Sequence, residues 1–192
     1  MEYELAFEGA PATVPGGTGI LLLHPSTVET DRVDTEFLKE DSDRILVIST
    51  RTTAREVRQK LDHYGVDPDR VTILDSLSVE RGYTRRKGQG VRYLSAPDDL
   101  EGLVDETRAF LEETDGKRRV SLDSLTEMVY YADEAAALDA TEDLLDLLAA
   151  NDAVGLFHMA AEVHDEATVE QFRDRFDGVL VLDEDGSLTA TF

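Results

Sequence analysis

A chain of 192 residues is long enough for one full-sized domain and barely long enough for two. Its 42 acidic against 19 basic residues give a formal net charge of -23, a field that opposes phosphate and disfavours nonspecific nucleic-acid binding. The chain has no cysteine, which excludes disulfides, a thiolate nucleophile and a thiol metal site.

The first apolar run of strand length covers residues 19–24, where Ile20 to Leu23 precede His24 and follow Pro15, Gly16 and Gly17. A polar stretch, 25–43, holds one short helix near Val33 to Lys39. Ile45 to Ile48 then read as a buried strand, with Ser49 and Thr50 opening a turn or cap. From Thr53, the spacing of Val57, Leu61 and Tyr64 predicts a helix closed by Gly65. Val71 to Leu74 make a third strand, and residues 81–92 a loop. Beyond Pro97 and Asp98, the positions Leu100, Leu103, Val104, Thr107, Phe110 and Leu111 give one helical face. Val120 to Leu122 form a strand ending at Asp123 and Ser124. A helix carrying Leu138, Leu144, Leu145, Leu147 and Leu148 ends near Asn151. Val154 to His158 form a strand and Val169 to Phe176 a helix. Gly178–Leu182 and Leu188–Phe192 then read as strands around the turn Asp183 to Gly186.

Strands alternating with helices imply an α/β fold with a mostly parallel sheet, helices on both faces and a C-terminal antiparallel hairpin. No linker or repeat divides the chain, so 1–192 reads as a single domain. The compact apolar runs, within a 41% hydrophobic composition, argue for a packed sheet under a charged shell rather than disorder. The cations are mostly Arg, with lysine only at 39, 60, 87 and 117. That balance, with few large aromatics, points to a halophilic source, where salt screens the surface repulsion. The opening MEYELAFEGAP lacks the blocks of a signal peptide, and no run approaches membrane-spanning length. A cytoplasmic protein without a membrane partner is expected.

In such a fold, ligands bind beyond the carboxyl ends of the strands. Asp123 can hold a magnesium-bound water there, or cap the following segment. His24, His63, His158 and His164 have no close metal-ligand spacing and read as surface or cap histidines, and Ser26, Ser76 and Ser124 lack a nucleophile elbow. Against the acidic background, the loop with Arg81, Tyr83, Arg85, Arg86, Lys87 and Arg92 stands out. It reads as an intramolecular or protein-contact element, for an acidic partner or a second copy. Phosphate or nucleic acid is its alternative ligand.

Taken together, VPGGTGILLLHP, RILVISTRTTAREVRQKLDHYGVD, RRVSLDSLTEM, NDAVGLFHMAAEVHD and FDGVLVLDEDG resemble the successive elements of the RecA superfamily, and within it the KaiC-like ATPases abundant in archaea. The resemblance implies a three-layer P-loop NTPase fold with ATP and magnesium as ligands. It places Thr27 in the nucleotide loop, Thr30 where that family has its phosphate-binding lysine, and Asp31 where it has the magnesium-binding hydroxyl. Arg51 or Thr52 stands at the catalytic glutamate's place, and Asp123 matches the magnesium aspartate. The loop 24–31 contains no glycine, so backbone N–H groups lack the usual ease of approach to phosphate. The resulting expectation is a non-catalytic, cofactor-free domain with a regulatory or protein-interaction role. A divergent ATP-binding protein or weak ATPase is the first alternative. A nucleic-acid-associated paralogue, with the basic loop forming a patch with Arg118 and Arg119, is the second.

Overall fold

The computed structural model describes residues 1–39, 41–79, 81–82 and 90–192. The chain opens with an antiparallel hairpin, β1 (Glu2–Glu4) and β2 (Thr13–Pro15). The main sheet is built from β3 (Gly19–His24), β4 (Arg44–Ser49), β5 (Val71–Asp75), β6 (Val91–Tyr93), β7 (Arg118–Asp123), β8 (Val154–Ala160), β9 (Gly178–Leu182) and β10 (Leu188–Thr191). The helices are α1 (Asp31–Lys39), α2 (Ala54–His63), α3 (Leu100–Glu113), α4 (Leu125–Tyr131), α5 (Glu134–Ala150) and α6 (Glu166–Arg173). Among the described residues the strand order is β10-β9-β3-β8-β7-β4-β5-β6, parallel throughout except for β10.

The continuous apolar runs follow from this layering, because a parallel sheet covered on both faces needs apolar residues at both parities. Ile20, Leu22, Ile45, Val47, Ile73 and Leu156 face α1, α2 and the β1–β2 hairpin. Leu21, Leu23, Leu46, Ile48, Leu122 and Phe157 face α3, α4, α5 and α6. Two cores therefore back onto one sheet. Gly155 permits the close packing of α5, since a Cβ there would lie 2.6 Å from both Leu148 Cδ1 and Phe157 Cε2.

Abundant carboxylates are spent on helix starts, where four backbone N–H groups otherwise lack partners. Asp99, Asp133 and Asp165 accept from the N–H of Gly102, Ala136 and Thr168 at 2.9, 2.8 and 2.8 Å. Thr53 and Glu56 form a reciprocal capping box on α2. That helix closes as expected: Gly65 has φ +72°, and the Val66 N–H reaches the Leu61 carbonyl at 2.9 Å.

Some boundaries differ from the sequence expectation. The Asp165 cap starts α6 at Glu166 rather than Val169. The predicted loop 81–92 gives way to β6 at Val91. The β1–β2 hairpin and α4 were absent from the periodicity reading. β1 and β2 have three residues each, and α4 seven, lengths at which neither period accumulates. No helix among the described residues is long and apolar enough to cross a membrane.

Candidate functional site

The chain leaves β3 through α1 on one face of the sheet and reaches β9 from β8 through α6 on the other. Adjacent strands whose connections depart to opposite faces open a crevice at their carboxyl ends. Polar side chains enter the sheet on one face. On β7, Arg119, Ser121 and Asp123 alternate with the apolar Val120 and Leu122. His24 on β3 and His158 on β8 share their face, with ring centroids 5.8 Å apart.

Asp34 of α1 is the centre of this seam. It is 1% exposed, and its carboxylate meets Lys60 Nζ at 3.0 Å and His158 Nε2 at 3.3 Å. The Ser121 hydroxyl also donates to it. Burial by itself would push the Asp34 carboxyl up, but the Lys60 ammonium, with His158 and Ser121, holds it well below the usual carboxylate range. Lys60 in turn spans Asp34 and Asp31, the latter at 3.4 Å. Desolvation disfavours its charge, and the two carboxylates more than restore it, so its pKa lies above the ordinary lysine value. Burial keeps His24 below its ordinary pKa; its Nδ1 donates to the Pro25 carbonyl at 3.0 Å.

A second cluster surrounds Asp123. Arg51 Nε lies 3.3 Å from Asp123 Oδ1. Thr50 Oγ1 donates to the Asp123 carbonyl at 3.0 Å and accepts from the Ser124 N–H at 2.8 Å, tying the end of β4 to the end of β7. The Asp123–Ser124 peptide is cis. The Ser124 hydroxyl donates to Glu127, whose carboxyl is raised by burial and partly restored by that bond and by Arg51.

Asp75 closes β5 with no exposed surface and accepts from the backbone of Ala54, Leu77 and Ser78 at 2.7, 2.9 and 2.8 Å, and from Ser78 Oγ at 2.5 Å. It joins the start of α2 to the turn after β5. Asp75→Ala leaves four buried donors without this acceptor and is expected to lower stability by about 2–3 kcal/mol. Urea unfolding measures this, and a loss below about 0.5 kcal/mol would show that the turn finds other acceptors.

The residues singled out from the sequence are thus dispersed in role. Thr27 is exposed in the connection between β3 and α1. Thr30 is buried, 6% exposed, and its carbonyl accepts the Asp34 N–H at 3.0 Å. Asp31 begins α1 and faces Lys60, whereas Arg51 and Asp123 do come together. The capping alternative for Asp123 is corrected: the N-cap of α4 is Ser124, and the Asp123 side chain points to Arg51. His24 and His158 are buried rather than superficial. Arg119 is fully buried, stacked 4.9 Å from the Phe37 ring and bonded to Asp41 and the Glu4 carbonyl, so it joins no surface patch. Arg118 is spent on the carbonyls of Leu111, Thr114 and Asn151. Arg92 meets Glu106 at 3.1 Å and Glu113 at 2.6 Å, and Arg81 is exposed within a turn. Tyr83, Arg85, Arg86 and Lys87 lie outside the described residues.

The chain's periodicity did not disclose Asp34, Lys60, Ser121 and His158. The available signal was polarity inside apolar runs: Ser121 between Val120 and Leu122, His158 between Phe157 and Met159, and Asp34 beside Val33. No group of three or more His, Asp or Glu suited to a metal ion occurs among the described residues.

Solved structures share this architecture at low identity. A KaiC-like protein of Pyrococcus horikoshii, PH0186, is 13% identical with a TM-score of 0.62, covering 90% of this chain and 75% of its own. An uncharacterised protein of the same organism, PH0321, in complex with an unknown peptide, is 16% identical with a TM-score of 0.65, covering 92% and 83%. An ATPase of the type III secretion system of pathogenic bacteria is 13% identical with a TM-score of 0.60 over 90% of this chain. The present chain spans about half of that ATPase, 53%. These likenesses place the fold with RecA-like and KaiC-like proteins. No curated protein matches the sequence. The model of a family of unknown function, DUF7090, matches residues 1–192 from end to end, and the chain belongs to that family.

Proposed function

We infer that the chain is a non-catalytic, KaiC-like single domain of 1–192 that acts in regulation or protein interaction, in a cytoplasm of high salt. The observation that carries this reading is the Arg51–Asp123 pair at 3.3 Å. A cation of the protein's own lies against the carboxylate that the resemblance assigns to magnesium. Nearby, the Lys60 ammonium is held between the carboxylates of Asp31 and Asp34, which meet its charge within the protein. That loop offers phosphate neither an ammonium nor a glycine, and it carries Glu29. Magnesium nucleotide therefore does not fit the residues present, and phosphoryl transfer lacks the electrostatic positioning on which it depends.

The interaction role draws support from PH0321, similar in fold and in complex with an unknown peptide. The basic residues Arg85, Arg86 and Lys87 suit an acidic partner or a second copy, acting mainly on association rate. Phosphate release from ATP with magnesium, followed in high potassium chloride so that the protein is folded, tests the loss of catalysis. No release above buffer is expected. Thr30→Lys alone should leave the result unchanged, because the loop backbone and Arg51 are still in place. Turnover in the unaltered protein that disappears with Asp123→Asn would overturn the non-catalytic reading.

A further inference from the structure

At the opposite, amino-terminal edge of the sheet lies a cavity of about 440 Å³, between the starts of β4 and β5 and the C-terminal half of α2. That volume lies in the range of small-molecule sites. Its apolar wall includes Leu61, Val66 and Ile73, all buried. Three arginines, Arg44, Arg58 and Arg70, line it, together with Asp62 and Asp69.

Such a lining is unexpected in this chain. With 42 acidic residues for 19 basic ones, an arginine has carboxylates in excess, and Arg92, Arg119 and Arg175 are each ion-paired. Among the described residues Arg44 and Arg70 form no ion pair. Each donates to a neutral carbonyl instead, Arg44 Nη1 to Asp43 at 2.9 Å and Arg70 Nη1 to Ser42 at 2.6 Å. Those bonds hold the two guanidinium groups without neutralising their charge. Among the described residues, three arginines and two aspartates line the cavity on a protein of net charge -23. A planar guanidinium fork matches the oxygens of phosphate. The two carboxylates oppose a bare anion but accept hydrogen bonds from hydroxyl groups. An apolar wall accommodates the C–H face of a ring.

From this combination we propose that the cavity binds a sugar phosphate, its phosphate on Arg44 and Arg70 and its hydroxyls toward Asp62 and Asp69. This site is independent of the carboxyl-edge crevice, and it stands or falls apart from the non-catalytic reading.

The test is a titration of the ¹⁵N-labelled protein with glucose 6-phosphate, inorganic phosphate and glucose in separate arms. It runs at the lowest potassium chloride concentration that keeps the fold, because salt screens the contact. Glucose 6-phosphate is expected to shift the amides of Thr72 and Ile73 saturably in the millimolar range. Each of the other probes should bind about tenfold more weakly, having lost either the charge-assisted or the hydroxyl contacts. Arg44 is exposed and, among the described residues, its side chain bonds its neighbour's carbonyl alone, so Arg44→Gln should fold and weaken glucose 6-phosphate about tenfold. Arg173→Gln, on α6 away from the cavity, should leave the affinity unchanged. Absence of saturable shifts up to about 50 mM, equal affinity in Arg44→Gln, or glucose binding as tightly as its phosphate would each overturn the assignment.

Discussion

Asp34→Ala is expected to lower the stability of the domain by about 3–5 kcal/mol, the cost of leaving the buried partners of an ion pair uncompensated. The ammonium of Lys60 would keep only the partly exposed Asp31 at 3.4 Å, while His158 and Ser121 would each lose an acceptor inside the sheet. The pH dependence carries a separate signature. Because the folded-state pKa of Asp34 is depressed, its contribution is fully present above the unfolded value of about 3.9 and is lost as pH falls toward the folded value. Lys60 has the opposite sign: its pKa is raised, so its share is present below about 10.4 and is lost only as pH rises above that. The stability difference between wild type and Asp34→Ala should therefore be constant from about pH 5 to 9 and narrow below about pH 4. Urea unfolding across that range measures it. A difference below about 1 kcal/mol at pH 7 would mean that the carboxylate's desolvation cancels its partners' attraction.

Lowering potassium chloride from about 3 M to about 0.1 M should loosen or unfold the protein, because the screening length grows from under about 3 Å to about 10 Å. The net charge of -23 is spread over a surface where carboxylates outnumber cations, so self-repulsion rises as screening falls. Exposed pairs such as Arg32–Glu36 at 2.8 Å gain attraction at low salt but contribute little each, so repulsion should win. Buried pairs such as Lys60–Asp34 feel salt least. The sheet core is then expected to outlast the charged shell, with hydrogen-exchange protection retained longest in β3, β7 and β8. Circular dichroism through a salt series reads the transition. An unfolding midpoint that stays flat from low to high salt would remove the halophilic reading.

The layers of the fold were legible in the sequence because buried parallel strands repeat apolar residues without interruption, as in Ile20 to Leu23 and Ile45 to Ile48. Helix ends were legible where local chemistry sets them, as at Thr53 and Gly65. Elements shorter than about two periods were not, and β1, β2 and α4 fall there. The candidate site was legible only in part. Arg51 and Asp123 could each be placed at a strand end, yet their pairing depends on β4 and β7 being neighbours, with Ser49 in register with Asp123. Lys60 and Asp34 are separated by 26 positions and look like ordinary surface charges in one dimension. Only the packing of α1 and α2 on the same face joins them. Arg119 shows the reverse error: a charge beside Arg118 reads as surface, but its place on a central strand between β4 and β8 buries it.

The most direct measurement is calorimetry of magnesium–ATP against the unaltered protein in about 2 M potassium chloride, with folding verified in the same buffer. Arg51 on Asp123, Lys60 held by Asp31 and Asp34, and a loop without glycine each remove an interaction worth roughly a few kcal/mol with phosphate or metal. At about 1.4 kcal/mol per tenfold, two such losses move a micromolar site to millimolar or weaker. No saturable magnesium-dependent heat is expected at about 1 mM nucleotide. A stoichiometric micromolar site that requires magnesium and is abolished by Asp123→Asn would contradict the non-catalytic reading and place nucleotide binding at the carboxyl edge of the sheet.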